Sequence, residues 1–198
     1  MGQYYYPTII RRDGTVDQYL ACDYDNGLKL MEHSYIGNNF VDGILNTLYH
    51  NPGKLAWLGD YTDSEDDFED GAIFKGVFGL FISSGDDFRK RYSRLTEDDN
   101  FSLEGKIILN HSKKEYIIMS KYIEIAKEEL ESEDDFIVNP IPLLTASSNG
   151  RGGGDYRGVN EEYCGLWCGD IIEVSNANEL IIYQDYQDVT EKYYFEEC

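Results

Sequence analysis

Short apolar runs separated by polar turns make up most of the hydrophobic pattern of this chain. Four such runs are KLAWLGDY (54–61), IPLLTA (141–146), DIIEVS (170–175) and ELIIYQDY (179–186). Their β-branched and aromatic residues are typical of strands. RRDGT and NHSKKE lie between apolar runs, and Asp13-Gly14 is a dipeptide that favours a hairpin turn. The pattern predicts a largely antiparallel sheet.

Two segments have the spacing of helices. Residues 38–50 place Phe40, Val41, Ile44, Leu45 and Leu48 on one helical stripe, with Asn38 or Asn39 as a cap and Pro52-Gly53 as a stop. The second helix is predicted from near Ser120 through KYIEIAKEEL, although its first residues alternatively continue a strand. The segment 72–84 is compatible with either a strand or a helix.

The same order of features occurs twice along the chain. Each half has an Ile-Ile strand, a polar turn and a Tyr-bearing return strand. A Leu-rich strand that ends in a small or polar loop follows (27–39 and 141–153), and Trp-x-Gly-Asp closes the half. We therefore predict an α+β fold, with predominantly antiparallel sheet from two pseudo-repeated halves and one or two packed helices. Residues 1–198 form a single domain in this prediction, with halves of about 3–70 and 105–198 joined by 71–104.

The net charge of the chain is the first indication of its function. The chain has 17 basic and 38 acidic residues, a net charge of −21. Such a surface repels nucleic acids and anionic membranes and attracts basic proteins. The acidity either serves solubility alone or mimics the phosphates of a nucleic acid. If the acidity mimics phosphates, the chain is a non-enzymatic inhibitor that occupies the basic surface of a nucleic-acid-binding protein.

Two acidic runs, 60–70 and 128–135, are the candidate contacts for such a basic protein partner. They are alternatively solvated loops or helix ends. The carboxylates predicted to bind the partner are Asp63, Glu65, Asp66, Asp67, Glu69, Asp70, Glu131, Glu133, Asp134 and Asp135.

The glycine-rich loop SSNGRGGGDYRG (147–158) is the second candidate site. Glycines admit a positive φ, successive N–H groups can hold an anion, and arginine can bind phosphate through two donors. The loop either binds a phosphate-bearing or nucleotide ligand or is a tight connection that ties neighbouring segments together. The residues predicted for a ligand are Asn149, Arg151, Gly152, Gly153, Asp155 and Arg157.

Catalytic and metal-binding patterns have little support in this sequence. A metal-dependent hydrolase using Asp60, Asp155 and Asp170 is a third hypothesis, and for Asp60 and Asp170 we favour turn aspartates that bond their own backbone. CGLWC has C-x3-C spacing, the acidic run 63–74 lacks the glycine and final glutamate of a calcium loop, and His33 is expected to be a packed histidine. We expect no cofactor and no metal.

The motifs NHSKKEY, SSNGRGGGDYRG and GLWCGDII together resemble a widespread set of uncharacterised proteins with a Lys-Lys-Glu-Tyr hairpin, this glycine loop and a Trp-x-Gly-Asp strand. The start MGQYYYP, with GLKLMEHSYIGNNFV and WLGDYTD, resembles a longer form found in bacteria and their mobile elements. The resemblance implies a shared fold and carries no established activity. By class analogy, small acidic proteins of mobile elements often inhibit host defence, including RNA-guided nucleases, as anti-CRISPR proteins do.

Location is predicted from what the apolar runs lack. None reaches the length of a membrane span, and the first residues do not have the charged start and apolar core of a signal peptide. We expect a cytoplasmic protein that binds neither membranes nor nucleic acid directly.

Overall fold

A mostly antiparallel sheet organises the computed structural model, which describes residues 2–60, 92–95, 101–130, 136–150 and 152–197. The fold is α+β, as predicted. Within the described residues seven strands form this sheet, and a further pair forms a small second sheet. The strands of the main sheet are β1 (Tyr5–Ile10), β2 (Val16–Gln18), β3 (Gly53–Gly59), β4 (Lys106–Asn110), β5 (Glu115–Ile118), β7 (Ile171–Asn176) and β8 (Gln187–Asp188). The small sheet pairs β6 (Gly158–Val159) with β9 (Glu196–Glu197).

The strand order of the main sheet is β2-β1-β3-β7-β4-β5-β8. Two hairpins, β1–β2 and β4–β5, therefore flank a central antiparallel pair of β3 and β7. Gly14 and Lys114 take positive φ in the two predicted hairpin turns. This order is compatible with the two predicted halves, whose duplication stays a prediction.

Helix α1 (Asn39–His50) forms where the apolar stripe predicted it. The Asn38 side chain accepts hydrogen bonds from the backbone N–H groups of Phe40 and Val41, which satisfies donors that the first turn leaves unpaired. The stripe of α1 is buried in the main core.

Helix α2 (Met119–Glu129) follows β5 without an intervening loop, which resolves the alternatives at its start. The chain is strand through Ile118 and helix from Met119 onward. Met119, Tyr122 and Ala126 form its buried face, and its other side carries the charged residues of this segment.

The predicted strand at 141–146 is wrong, because this segment is helix α3 (Pro140–Leu144). The Asn139 side chain accepts a hydrogen bond from the N–H of Ile141 and caps the helix. Pro140 occupies the first turn, where a proline needs no N–H partner and its fixed φ suits a helix. The cap and the proline outweigh the strand-like composition.

Three other predicted strands are also corrected. Within the Leu-rich strand predicted at 27–39, Leu30–Glu32 is a 3-10 turn, which Glu32 caps by accepting a hydrogen bond from the N–H of Lys29. The run 179–186 begins in a 3-10 helix, Ala177–Ile182, where Glu179 accepts hydrogen bonds from Ser175 and Asn176.

The third corrected strand is the second Trp-x-Gly-Asp segment. Trp167 lies in a turn before β7, since Gly165 and Gly169 take positive φ.

The sheet buries both of its faces at β1 and β3. Tyr5, Ile9, Leu55 and Trp57 point into the main core, which also contains the α1 stripe and Trp167. Alternate residues point to the opposite face, where a smaller cluster forms from Tyr6, Leu20, Ala56, Leu58 and Tyr92. This alternation follows the two-residue period of a strand.

Among the helices of the described ranges, none has the length and apolar character that crossing a bilayer requires.

Candidate functional site

The glycine-rich loop is closed at its base by one side chain. Asn149 Nδ2 donates to the backbone oxygen of Tyr156 at 3.1 Å, and Asn149 Oδ1 accepts from the N–H of Tyr156 at 3.0 Å. Both ends of the amide are therefore used to join the two sides of the loop. Asn149 acts as a structural clamp.

Asp155 occupies the interior of this loop. Its Oδ1 accepts a hydrogen bond from the Tyr5 hydroxyl at 2.9 Å, and its Oδ2 accepts one from the N–H of Gly152 at 2.9 Å. Asp155 is only 7% exposed. Burial, with the nearby Asp155 carboxylate, raises the pKa of Tyr5 far above its usual range. The loop's own carboxylate thus takes the Gly152 N–H that an anionic ligand would use.

The glycines of the loop allow close packing against the N-terminal segment. A Cβ at Gly152 would lie 2.4 Å from the backbone nitrogen of Gln3, and Gly153 forms a parallel bridge with Gly2. Gly154 has a φ of +87° and accepts a hydrogen bond from the N–H of Met31. These contacts favour the tight-connection alternative for the loop.

Of the two arginines in the loop, the structure describes only Arg157. Arg157 is exposed, and its Nη1 lies 3.9 Å from Glu161. Arg151 lies outside the described residues.

The three aspartates of the hydrolase hypothesis have separate partners. Asp60 Oδ1 accepts from the N–H of Tyr4, whereas Asp170 Oδ2 accepts from Asn110 and Lys113. These contacts lie outside the residues' own turns. The residues that follow Asp60 lie outside the described ranges, so a self-bonded turn at Asp60 stays a prediction. The backbone oxygen of Asp170 bonds Leu55 near the start of β3, and Asp60 follows its end. A strand rises about 3.3 Å per residue, so the chain from Leu55 to Asp60 spans about 17 Å. Asp60 and Asp170 are therefore separated by about that distance.

The described residues also bear on the possibility of a metal site. No group of three or more His, Cys, Asp or Glu side chains there has the geometry to hold a metal ion. Asp60, Asp155 and Asp170 are all described, so the structure does not bring them together as a metal site.

Cys164 and Cys168, the pair in CGLWC, are both free thiols. Burial is the main cause that raises the pKa of each thiol to about 12. Both sulfurs stay protonated at neutral pH, which argues against a nucleophilic role for either cysteine.

His33 is packed and hydrogen-bonded, as expected. Its ring is fully buried, its Nε2 accepts a hydrogen bond from Trp57 Nε1 at 2.9 Å, and its Nδ1 lies 2.9 Å from the backbone oxygen of Gly27. Burial lowers the pKa of His33 to about 4. The neutral ring joins the 27–33 segment to β3 and has a structural role.

The predicted partner-binding carboxylates all fall within 61–91 and 131–135, which lie outside the described residues. The second of these ranges directly follows α2 in the chain.

An open groove of about 700 Å³ lies between α1 and α2. Its volume is within the range of about 300–1,000 Å³ that is usual for ligand sites. Four separate segments contribute to its walls. The apolar lining residues are Ile36, Phe101, Leu103, Ile123 and Ile137.

Among the described lining residues of this groove, carboxylates outnumber cations. Four acidic residues line it, whereas Lys127 is the one basic residue among its described lining. No ion pair joins these acids to a cation within the described residues. The acidic residues are Asp42, Glu104, Glu124 and Glu128.

Asp42 is the most deeply placed of these acids. Its Oδ1 atom is buried and has no hydrogen-bond partner among the described residues. Burial raises the pKa of Asp42 to about 6. An uncompensated buried oxygen in a groove wall is energetically unfavourable, and a positively charged group in the groove would relieve it.

Glu124 and Glu128 are also placed against local electrostatics. They are four residues apart on α2, so their like charges are neighbours and destabilise the helix. Glu128 lies in the last turn, where the helix dipole favours positive charge. The acidic wall of the groove therefore does not serve the stability of α2.

Sequence reasoning missed this groove because its residues come from four separated segments. Two signals in the sequence point toward it. One is the acidic residue Asp42 beside the apolar stripe of α1, and the other is the like-charged pair of Glu124 and Glu128.

Comparisons with protein-family models, with curated proteins and with solved structures found no match to this chain.

Proposed function

We propose that this protein is a non-enzymatic acidic binding protein that occupies the basic, nucleic-acid-binding surface of a protein partner and so inhibits it. The observation that carries this proposal is the net charge of −21 together with a groove whose carboxylates have no cationic partner in the described part of the chain. Unpaired negative potential gives fast, oriented association with a positively charged surface. An RNA-guided nuclease, which holds nucleic acid in a basic channel, is one partner of this class.

The site geometry supports binding more than catalysis. The thiols of Cys164 and Cys168 are protonated, and the candidate catalytic aspartates do not form a metal-binding group. The glycine loop is filled by Asp155. We therefore do not put forward the ligand-binding or hydrolytic alternatives as functions.

Salt-resolved capture tests the proposal. The protein is immobilised and incubated with a nuclease-treated bacterial lysate, and bound proteins are eluted with steps of NaCl. We expect basic nucleic-acid-binding proteins to elute by a few hundred millimolar salt, because screening shortens the reach of exposed charges. Each eluted protein is then bound to its labelled nucleic acid, which the free acidic protein should displace.

Matched variants assign the effect to charge. Changing the six carboxylates predicted in 63–70 to amides should weaken capture, whereas Arg151→Ala should leave it unchanged. Partners that remain bound at high salt and keep their nucleic acid would contradict the proposal. The reverse response of the two variants would favour ligand binding by the glycine loop.

A further inference from the structure

The groove between α1 and α2 has a specific combination of charge and apolar surface. Its acids lie on a lining of isoleucine, leucine and phenylalanine side chains. A partner residue that enters must therefore supply positive charge and apolar contact together. Free cations satisfy only the first requirement.

A strongly exposed aromatic side chain lies next to the groove lining in the sequence. Phe136 is 77% exposed and precedes the groove residue Ile137. Its ring contacts Tyr35 at 5.3 Å between centroids. Exposed aromatic residues beside a concave surface are common in protein interfaces, where they are buried by the partner.

We propose that this groove is the docking site for a segment of the protein partner in which basic and apolar residues alternate. The inference rests on the proposed function and deepens it by naming the site and the chemistry of the segment. A lysine or arginine of the segment enters beside Asp42, Glu124 and Glu128. Its apolar neighbours cover Phe136 and the apolar lining.

Charge complementarity explains why the groove tolerates its own electrostatics. The like charges of Glu124 and Glu128 and the buried Oδ1 of Asp42 are unfavourable in the free protein. A bound ammonium or guanidinium group offsets all three. The same positions should therefore weaken the free protein and strengthen the complex.

Synthetic peptides test the inference directly. The probes are blocked, fluorescently labelled hexapeptides of alternating leucine and arginine, of alternating serine and arginine, and of alternating leucine and glutamate. Binding is followed by fluorescence anisotropy at 50 mM and 300 mM NaCl. We expect the leucine–arginine peptide to bind best, with shifts of amide NMR signals at Ser102, Ile123 and Lys127.

Paired variants locate the contact. The double variant Glu124→Gln/Glu128→Gln should weaken the leucine–arginine peptide about tenfold, since two ion pairs are lost. The control Glu161→Gln/Glu162→Gln removes the same charge from exposed positions outside the groove and should change little. The groove variant should melt at or above the wild-type temperature, which excludes unfolding as the cause.

Apolar variants test the second requirement. Phe136→Ser should weaken the leucine–arginine peptide at least about threefold but leave the serine–arginine peptide unchanged. Ile182→Ser is the matched control, because Ile182 is 68% exposed and lies outside the groove lining.

Equal weakening by both glutamine double variants would overturn the groove as the site, because the attraction would then be diffuse. The proposed function would survive that result if the captured partner still elutes with salt and still loses its nucleic acid. Preferential binding of the leucine–glutamate peptide would overturn both.

Discussion

The buried His33 predicts a specific acid sensitivity of this fold. In the neutral ring Nε2 accepts from Trp57 and Nδ1 donates to Gly27, a tautomer assigned from these two partners. Protonation would place an N–H against the indole N–H of Trp57. Burial also disfavours the charged ring, and it lowers the pKa of His33 to about 4. We therefore expect His33 to control part of the stability at low pH.

The magnitude follows from proton linkage. The unfolded chain protonates His33 near pH 6.5, whereas the folded protein does so near pH 4. The contribution of His33 to the free energy of unfolding is present above pH 6.5 and is lost as the pH falls toward 4. The loss is about 1.4 kcal/mol per pH unit, or about 3 kcal/mol in total.

Urea unfolding of the wild type and of His33→Gln at pH 7.5, 6.5, 5.5 and 4.5 measures this loss. The variant is expected to be less stable at pH 7.5, because glutamine fills the site poorly. Its deficit should shrink by about 2 kcal/mol or more by pH 4.5, since only the wild type must carry a neutral imidazole. The change in the difference removes the contribution of every other titrating group.

Protonation of Asp42 changes the free energy of unfolding in the opposite direction to protonation of His33, and a variant at Asp42 tests this. Burial raises the pKa of Asp42 to about 6, whereas an aspartate in the unfolded chain has a pKa near 3.9. The contribution of Asp42 to stability therefore rises as the pH falls from about 6 toward 3.9. The slopes of Asp42 and His33 therefore cancel in part between pH 6 and 4. Asp42→Asn should steepen the acid loss and raise stability at pH 7 by about 1–2 kcal/mol, a value reduced for partial solvent access.

A deficit of His33→Gln that stays constant from pH 7.5 to 4.5 would refute the buried neutral imidazole. If the variant does not fold, the imidazole nitrogen signals of the wild type decide the matter by NMR. An imidazolium already present at pH 5.5 would give the same refutation.

Two further predictions concern the glycine loop and the cap of α1. In thermal melts, Gly152→Ala should destabilise the fold by about 1–3 kcal/mol, because its Cβ would lie 2.4 Å from the Gln3 nitrogen. Gly153→Ala should be nearly neutral in the same melts, since no atom lies within 4 Å of its added Cβ. Equal melting temperatures for both variants would contradict the packing of the loop. Asn38→Ala should lower stability by about 1–2 kcal/mol in urea unfolding, since the side chain caps two N–H groups of α1; an unchanged midpoint would show that these bonds contribute nothing.

The fold was predictable from sequence where local signals agree. At α1, the Asn38 cap, the apolar stripe and the Pro52 stop all predict the same helix. At 140–144 the signals conflict, because the apolar composition favours a strand while Asn139 and Pro140 favour a helix start. Position-specific cap chemistry determined the structure there, and average composition misled.

The candidate site was predictable only in its sign of charge. The acidity is visible in composition, but the groove depends on how the 36–42, 101–104 and 120–128 segments and Ile137 meet in space. The glycine loop was identified from its residues, yet its use depends on Tyr5 and Gln3, more than 140 residues away. Long-range packing of this kind leaves no local pattern in one sequence.

The main sheet is bounded by strands of three residues at β2 and two residues at β8. Edge strands of this length have few unpaired backbone N–H and C=O groups to which another polypeptide could add a strand. Recognition by added-strand pairing, which needs a long open edge, is therefore disfavoured at these two described edges. A partner that meets them is selected mainly through side chains, so that its specificity can be altered by substituting surface residues without disturbing the sheet.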